Sequence, residues 1–505
     1  MRVCIIGGGF AGVGTASVLQ RRGIECVIYE REAAAGGVWL HAYPSAACQN
    51  TATDYYLPCF TWEQAGIQPS FYPTKAQLLK YLEAAVKQLE LDVRLNCNVT
   101  SCRRASGDGQ PNPPQVREGE WIVQGRGPAG EFEESFDYLL VATGLFWTPS
   151  PTVFPDQDKY TGRILADNDL TPEVLKTLQV LKSLQGKTLA VGKTLAVVGF
   201  GKSALDQATD AADSNGVRTL HLFRRAEWAL PHRVCGVHYT WLLLSRAATL
   251  WIPCWDHPSA AACALHARAR WLVRAFWSLA SALVWLSIAR VAWGRGRVAS
   301  ARIALLRPFN RFIECWRLSL PLIPERYLGY NAVGLCIGHS PPTFPFLPEE
   351  DRAWLEGMQG GVQLYRHVVH PRVPGIGFVG LNTGYLNLSQ VEIGALWLSA
   401  VMLGELALPP AHIQEAAIER VRAWKAAHEQ PCPATNCCVI AHFAQYNDVL
   451  LGDLGVRALR GGTWPSRRFR RMVISDYADV VDEYEAQLRR RGAGAGPRHV
   501  LPRIM

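Results

Sequence analysis

Arg2-Val3-Cys4-Ile5-Ile6-Gly7-Gly8-Gly9-Phe10-Ala11-Gly12 opens the chain, and Cys26-Val27-Ile28-Tyr29-Glu30 follows it. The apolar run 2–6 reads as a buried strand, Ala11 to Arg22 as a helix and Cys26 to Tyr29 as a second strand, which together form a βαβ unit. Gly7-x-Gly9-x-x-Gly12 sits at the strand-to-helix turn, and Glu30 ends the second strand about 20 residues further on. Each part has a physical task. Gly7 permits the tight turn, Gly9 lets the backbone approach a pyrophosphate, and Gly12 allows close helix–sheet packing. The helix N-terminus offers partial positive charge to phosphates, and Glu30 accepts hydrogen bonds from a ribose diol.

The same grammar returns downstream. Thr194-Leu195-Ala196-Val197-Val198 leads through Gly199-x-Gly201-x-x-Ala204 into a helix from Ser203, and the next strand, Thr219 to Phe223, ends in Arg224-Arg225. A guanidinium pair suits the extra 2′-phosphate of NADPH through charge-assisted bidentate contacts. One acid-terminated site and one arginine-terminated site in a single chain imply FAD plus NADPH.

Composition limits what such a chain is. It has 505 residues, 49% of them hydrophobic and 19% charged, roughly three to four domain equivalents with ample material for buried cores. It begins directly with a strand pattern and no leader signature, so an intracellular location is expected, in the cytoplasm or on the cytoplasmic face of an internal membrane. The 14 cysteines are scattered, with Cys437-Cys438 the only close pair, and resemble neither zinc ligands nor a disulfide framework. No metal site is expected. A disulfide reductase needs a redox cysteine pair soon after the first glycine motif, and Gly36-Gly37-Val38-Trp39-Leu40-His41-Ala42-Tyr43 offers none. No Ser-His-Asp set or paired-carboxylate motif supports a hydrolase.

The likeness extends beyond the glycine motifs, through Gly36-Gly37-Val38-Trp39, Cys48-Gln49-Asn50-Thr51, Tyr72-Pro73-Thr74-Lys75-Ala76-Gln77-Leu78, Val141-Ala142-Thr143-Gly144, Phe344-Pro345-Phe346-Leu347 and Pro374-Gly375-Ile376-Gly377-Phe378-Val379-Gly380, on to Glu392 and Trp397. With these motifs the chain resembles the flavin-containing monooxygenases, the N- and S-oxygenating class related to Baeyer–Villiger enzymes. The resemblance covers about residues 1–460. It implies that NADPH reduces FAD, that O2 adds to the flavin at C4a, and that the resulting hydroperoxide passes one oxygen to a soft nucleophile of a small lipophilic substrate. Ketone oxygenation of the Baeyer–Villiger type and an uncoupled, membrane-associated NADPH-binding flavoprotein are the alternatives. Asn50 stands where the family carries its active-site asparagine. Gly7, Gly9, Gly12, Glu30, Gly37, Trp39, Thr143 and Gly144 are expected at FAD, and Gly199, Gly201, Ser203, Ala204, Arg224 and Arg225 at NADPH. His41 and His339 are the histidines nearest these motifs. The chain also departs from the family. Tyr160-Thr161-Gly162-Arg163-Ile164-Leu165-Ala166 ends in alanine where the family's signature has histidine, and Cys336-Ile337-Gly338-His339 replaces an Ala-Thr-Gly-Tyr segment.

The expected architecture is α/β, with two Rossmann-like dinucleotide-binding domains, the NADPH domain inserted in the FAD domain, a helical insertion and a helical C-terminal extension. The boundaries read as 1–155 for the first part of the FAD domain and 156–330 for the NADPH domain, including a Trp/Arg-rich helical insertion at about 235–325. The second part of the FAD domain covers 331–410, and 411–505 is the extension, ending in a frayed tail from Gly492. Gly-Lys-Thr-Leu-Ala-Val occurs at both 186–191 and 192–197, and the first copy reads as extra loop.

Charge is concentrated in the insertion. Between Arg246 and Arg326 twelve arginines face three acids, a surplus equal to the formal excess of +9 for the whole chain. Within it Ala275 to Ala289 is free of charge, and at 1.5 Å per residue it reaches only about 22 Å, short of the roughly 30 Å hydrocarbon core. Segment 271–293 therefore reads either as a helix lying in a membrane surface with Trp277 and Trp285 as anchors, or as a buried helix of a substrate lobe. No nucleic-acid motif is present, and Arg467-Arg468-Phe469-Arg470-Arg471 reads as a solvated or lipid-facing patch. The sequence does not specify oligomeric state.

Overall fold

The computed structural model describes the chain except residues 106–119, 147, 151–158, 160, 167–168, 172, 176–193, 200, 215–216, 224–232, 256–259, 295, 297–331, 336–338, 358–360, 383, 429–436, 440–441, 464–465, 493–495 and 501–505. Its first sheet is built on β1 (Arg2–Ile6), with β2 (Glu25–Tyr29) and β3 (Val93–Arg94) to one side and β7 (Tyr138–Val141) and β12 (Ile376–Phe378) to the other. All these neighbours are parallel. Val3, Cys4 and Ile5 are fully buried, as a central strand covered on both faces requires. On one face lie α1 (Phe10–Arg21), α2 (Lys75–Gln88) and α5 (Asn387–Met402). On the other lies an antiparallel meander of β4 (Asn98–Arg104), β5 (Trp121–Gly127) and β6 (Gly130–Phe136). A Gly- and Pro-rich segment joins β4 to β5, and its residues 106–119 lie outside the described residues.

Local chemistry explains where these helices begin. Thr74 caps α2 with a full capping box: the Gln77 N–H donates to Thr74 Oγ1 (3.4 Å), and the Thr74 N–H donates to Gln77 Oε1 (3.1 Å). α5 is buried on every side from Leu388 to Ala400, so it forms a core element between layers rather than an amphipathic surface helix. α1 packs on it at Gly14, where a Cβ would lie 2.7 Å from Leu57 and 3.1 Å from Val391.

The second sheet is also parallel, in the order β10 (Arg218–Leu222), β9 (Thr194–Val198), β11 (Ala332–Leu335), β8 (Arg163–Ala166). Its strands all fall between β7 and β12 of the first sheet, so one dinucleotide fold is threaded into the other. α3 (Lys202–Thr209) connects β9 to β10. The first copy of the duplicated hexamer lies outside the described residues, whereas the second runs into β9. Toward the C-terminus come α6 (Ala411–His428), α7 (Phe443–Leu454) and α8 (Val480–Arg491).

Three expectations need correction. The segment read at 271–293 is α4 (Arg270–Gly294), 25 residues long, so the reach of about 22 Å taken from its charge-free part understates it, because Arg274 and Arg290 continue a helix as readily as apolar residues do. The tail from Gly492 is not frayed throughout. Arg498–His499 pairs in parallel with Leu406–Ala407 and Val500 is buried, because the Arg498 and Val500 N–H groups donate to the Glu405 and Ala407 carbonyls (2.9 and 3.1 Å). Nor is the 467–471 run simply a solvated patch. Arg470 pairs with Asp476 and Arg471 pairs with buried Asp54, leaving Phe469 and Arg468 exposed.

Candidate active site

β1 delivers the chain to Gly7, whose φ of +111° and close approach to the Ala142 carbonyl (2.6 Å from a Cβ built there) admit glycine alone. At Gly12 a Cβ would lie 1.9 Å from the Gly7 oxygen, and at Gly9 it would lie 3.3 Å from the Gly37 Cα. Gly9 is the N-cap of α1, and no side chain caps it and no acid lies in its first turn. Its leading amides are thereby directed at a prospective anion. Glu30 is buried and held at both oxygens: the Gly8 N–H donates to Oε2 (2.6 Å) and the Glu32 N–H donates to Oε1 (2.9 Å). The acid is thus fixed in place beside the glycine turn.

These groups open onto one cavity of about 600 Å³, which Trp39, Asn50, Thr143 and Gly144 also line. The sequence-derived residues of the first site, Gly12 excepted, converge there, and Gly12 acts one layer behind by packing against Gly7. Two buried atoms on this wall, Thr143 Oγ1 and Asn387 Oδ1, make no hydrogen bond. A buried polar atom without a partner is costly, so this wall fits a bound molecule with polar edges, as a flavin ring has. Trp39 Nε1 donates to the Tyr55 hydroxyl (3.1 Å), and Tyr55 stands edge-on to Phe10 at 5.1 Å. Burial pushes the Tyr55 hydroxyl well above its usual range, so it stays protonated. Asn50 is half-buried on the same wall. Its loop is pinned by the Cys48 N–H donating to the Pro73 carbonyl (2.8 Å), and burial pushes the Cys48 thiol up to about 12.

Tyr55, Asn382, Asn387 and Lys202 join this wall without having been anticipated. Lys202 belongs to the second glycine motif. It pairs with Asp206 and donates to the Tyr43 hydroxyl (3.2 Å), which in turn donates to Asp206 Oδ2 (2.6 Å), and Ser45 bonds Asp210. The loop after the first site is therefore clasped to the helix of the second. Its residue types carry no signal in sequence, because a lysine at a helix start and a tyrosine in a loop are ordinary.

At the second site Gly199 has φ of +128° and its N–H donates to the Leu222 carbonyl (2.8 Å). Gly201 is the uncapped N-cap of α3, Ala204 is fully buried and Ser203 is half-buried. His221, unanticipated, bonds the Gly199 oxygen at 2.6 Å. Arg224 and Arg225 lie outside the described residues. Ala166 lines a neighbouring cleft of about 510 Å³ with Arg31, His41, Lys75 and Asp169. His41 meets Glu32 at 3.1 Å near the surface and lines the main cavity, whereas His339 packs edge-on to Phe146 (5.6 Å).

Glu392, on α5, accepts from the Cys59 N–H (3.0 Å), and Cys59 Sγ lies 3.1 Å from Ser17 Oγ. Cys59 is thus engaged away from Cys48, and no cluster of His, Cys, Asp and Glu suited to a metal occurs among the described residues.

A family model described as pyridine nucleotide-disulphide oxidoreductase matches residues 1–236. A probable flavin-containing monooxygenase of Arabidopsis thaliana is 25% identical over 96% of this chain and 97% of its own. A putative one from the same plant is 27% identical over 81% and 87%. The structure of an S-allyl-L-cysteine S-oxygenase from Allium sativum superposes with a TM-score of 0.60, at 17% identity, over 98% of this chain and 94% of that one, which establishes a shared fold. Alongside the glycine turns, the fixed acid and the threaded second sheet, these likenesses make the chain similar over most of its length to flavin-containing monooxygenases.

Proposed function

We propose that the protein uses FAD and NADPH to transfer one atom of O2 to a nitrogen or sulfur of a small lipophilic substrate. The observation that carries this reading is the single cavity onto which Glu30, Asn50, the unpartnered Thr143 and Asn387 atoms and Lys202 of the second motif all open. When bound, FAD supplies oxygen activation and NADPH the electrons. The chain's own residues bind, orient and exclude water. Gly7, Gly9 and Gly12 keep the backbone close to a pyrophosphate, while Glu30 receives ribose hydroxyls and is itself held by two amides. Gly37 lets the chain at Trp39 approach Gly9. On the flavin wall Thr143 has a hydroxyl and Asn387 a carbonyl oxygen ready to pair. Asn50 presents an amide that donates and accepts without titrating, which suits a reacting centre whose charge changes during turnover. Gly199, Gly201, Ser203 and Ala204 perform the corresponding binding for NADPH, and Arg224 and Arg225 are assigned to its 2′-phosphate.

The test is turnover under isotopically labelled oxygen gas with NADPH and a panel of tertiary amines, thioethers and ketones. The expected result is an N-oxide or sulfoxide carrying one labelled oxygen per NADPH consumed. Labelled esters from the ketones would move the assignment to Baeyer–Villiger chemistry. Peroxide in place of any product would overturn the monooxygenase reading.

A further inference from the structure

α4 carries Leu272, Leu279, Leu286 and Trp293 at intervals of seven residues, a spacing that sets them on one face of a helix. They are 37%, 63%, 51% and 56% exposed, and Trp271 and Leu283 beside them are 68% and 43% exposed. The 18-residue apolar window within α4 has a mean hydropathy of 1.6, and only 11% of it is buried. An apolar surface of this extent on a water-soluble face marks an interaction site.

The adjoining flank shows how the helix is held. Phe276 stacks on Trp251 with ring centroids 4.4 Å apart, and Trp277 Nε1 donates to the Trp251 carbonyl (2.8 Å). Three turns on, Ser287 is buried. Its hydroxyl accepts from the Cys235 N–H (3.1 Å) and donates to the Arg233 carbonyl (3.3 Å). Attachment at both 276–277 and 287 lays the helix lengthwise on the protein for about 15 Å. Lipid cannot surround it there, so it does not cross a bilayer as a lone span would.

Charge selects among the remaining occupants. Arg268, Arg270, Arg274 and Arg290 are exposed, and no acid occurs from Arg268 to Gly294. A second copy packed on this stripe would bring its own arginines against these. Anionic headgroups complement them, while tryptophans near both ends of the helix suit the interface between headgroups and acyl chains. We propose that α4 lies in the plane of an anionic bilayer, with Leu272, Leu279, Leu286 and Trp293 at the acyl boundary and the flanking arginines on headgroups. The flavoprotein is thereby held at a lipid surface.

The experiment is sedimentation of the full-length, flavin-loaded protein with phosphatidylcholine vesicles, with and without phosphatidylserine. Binding is expected with phosphatidylserine and weakening as salt rises. Leu279→Glu with Leu286→Glu should lower the partition coefficient roughly tenfold or more. Both positions are exposed, so flavin content and NADPH oxidation in solution should not change. Arg274→Gln with Arg290→Gln should abolish the preference for phosphatidylserine. Equal binding by the Glu pair would overturn the proposal. So would a solution dimer that the Glu pair dissociates in the absence of vesicle binding, and so would retention in membranes after alkaline carbonate washing, which would indicate a spanning helix.

Discussion

Arg471 and Asp54 stand 417 residues apart in sequence and form an ion pair in which the carboxylate is 1% exposed and the guanidinium 12%. Thr51 completes the contact, donating from Oγ1 to Asp54 Oδ2 (2.6 Å) and accepting from Arg471 Nη2 (3.0 Å). Burial raises the Asp54 carboxyl above its usual range, and Arg471 works against that rise. Removing one partner of a buried pair leaves the other charge uncompensated and costs about 3 kcal/mol. Arg471→Ala should therefore lower the urea midpoint of unfolding, followed by tryptophan fluorescence, and adding Asp54→Asn should restore much of it. An unchanged midpoint would mean that water already solvates Asp54. The pair also marks where sequence reading stops. Gly7, Gly9, Gly12 and Glu30 were legible because spacing alone fixes their backbone tasks. Arg471 sat in a run of like charges that nothing local distinguished from a solvated surface, and its partner became visible only in three dimensions.

α5 shows the same contrast along an element. Its apolar composition announces a buried helix, yet Glu392 sits inside it, buried, with the Cys59 N–H donating to its Oε1 (3.0 Å). Burial pushes its carboxyl from an ordinary value of 4.5 up to about 7. The sign follows from proton counting. Below pH 4.5 the group is protonated whether folded or unfolded, and its contribution is fully present. As pH rises toward 7 the unfolded chain releases a proton that the folded chain keeps, so stability falls, by up to about 3 kcal/mol, and then levels off. Glu392→Gln carries no such titration. Melting temperatures of the two proteins measured from pH 4.5 to 8 should therefore diverge, with the variant gaining on the parent as pH rises through this window. Parallel curves would place the Glu392 carboxylate in contact with water. The bounds of α4 were readable to within a residue from the apolar run at 271–293, whereas its reach was not, because the arginines flanking the charge-free part continue the helix. The tail was misread for a related reason: two backbone donors reaching residues 405 and 407 leave no trace in its composition.

For the molecule as a whole the question is how two threaded nucleotide folds act on one cavity. Doubly wound domains were foreseen from the repeated strand–glycine–helix grammar, but the joint between them was not. Among the described residues it includes the Tyr43 hydroxyl between Lys202 and Asp206 and Ser45 on Asp210. A second link joins the Tyr72 hydroxyl to His238 Nε2 at 2.9 Å. Because Lys202 both starts α3 and lines the cavity beside the first glycine turn, displacing it alters the second site relative to the first without touching Glu30 or that turn. Tyr43→Phe keeps the ring and removes the hydroxyl that bridges Lys202 to Asp206. Loss of one charge-assisted contact of about 1 kcal/mol corresponds to roughly a fivefold change in an equilibrium constant. The expected result is a rise of that order in the KM for NADPH and more peroxide released per NADPH, with flavin content unchanged. A KM and a coupling ratio equal to the parent's would show that the clasp does not set how the two folds meet. Loss of flavin would instead place Tyr43 in the scaffold of the first site.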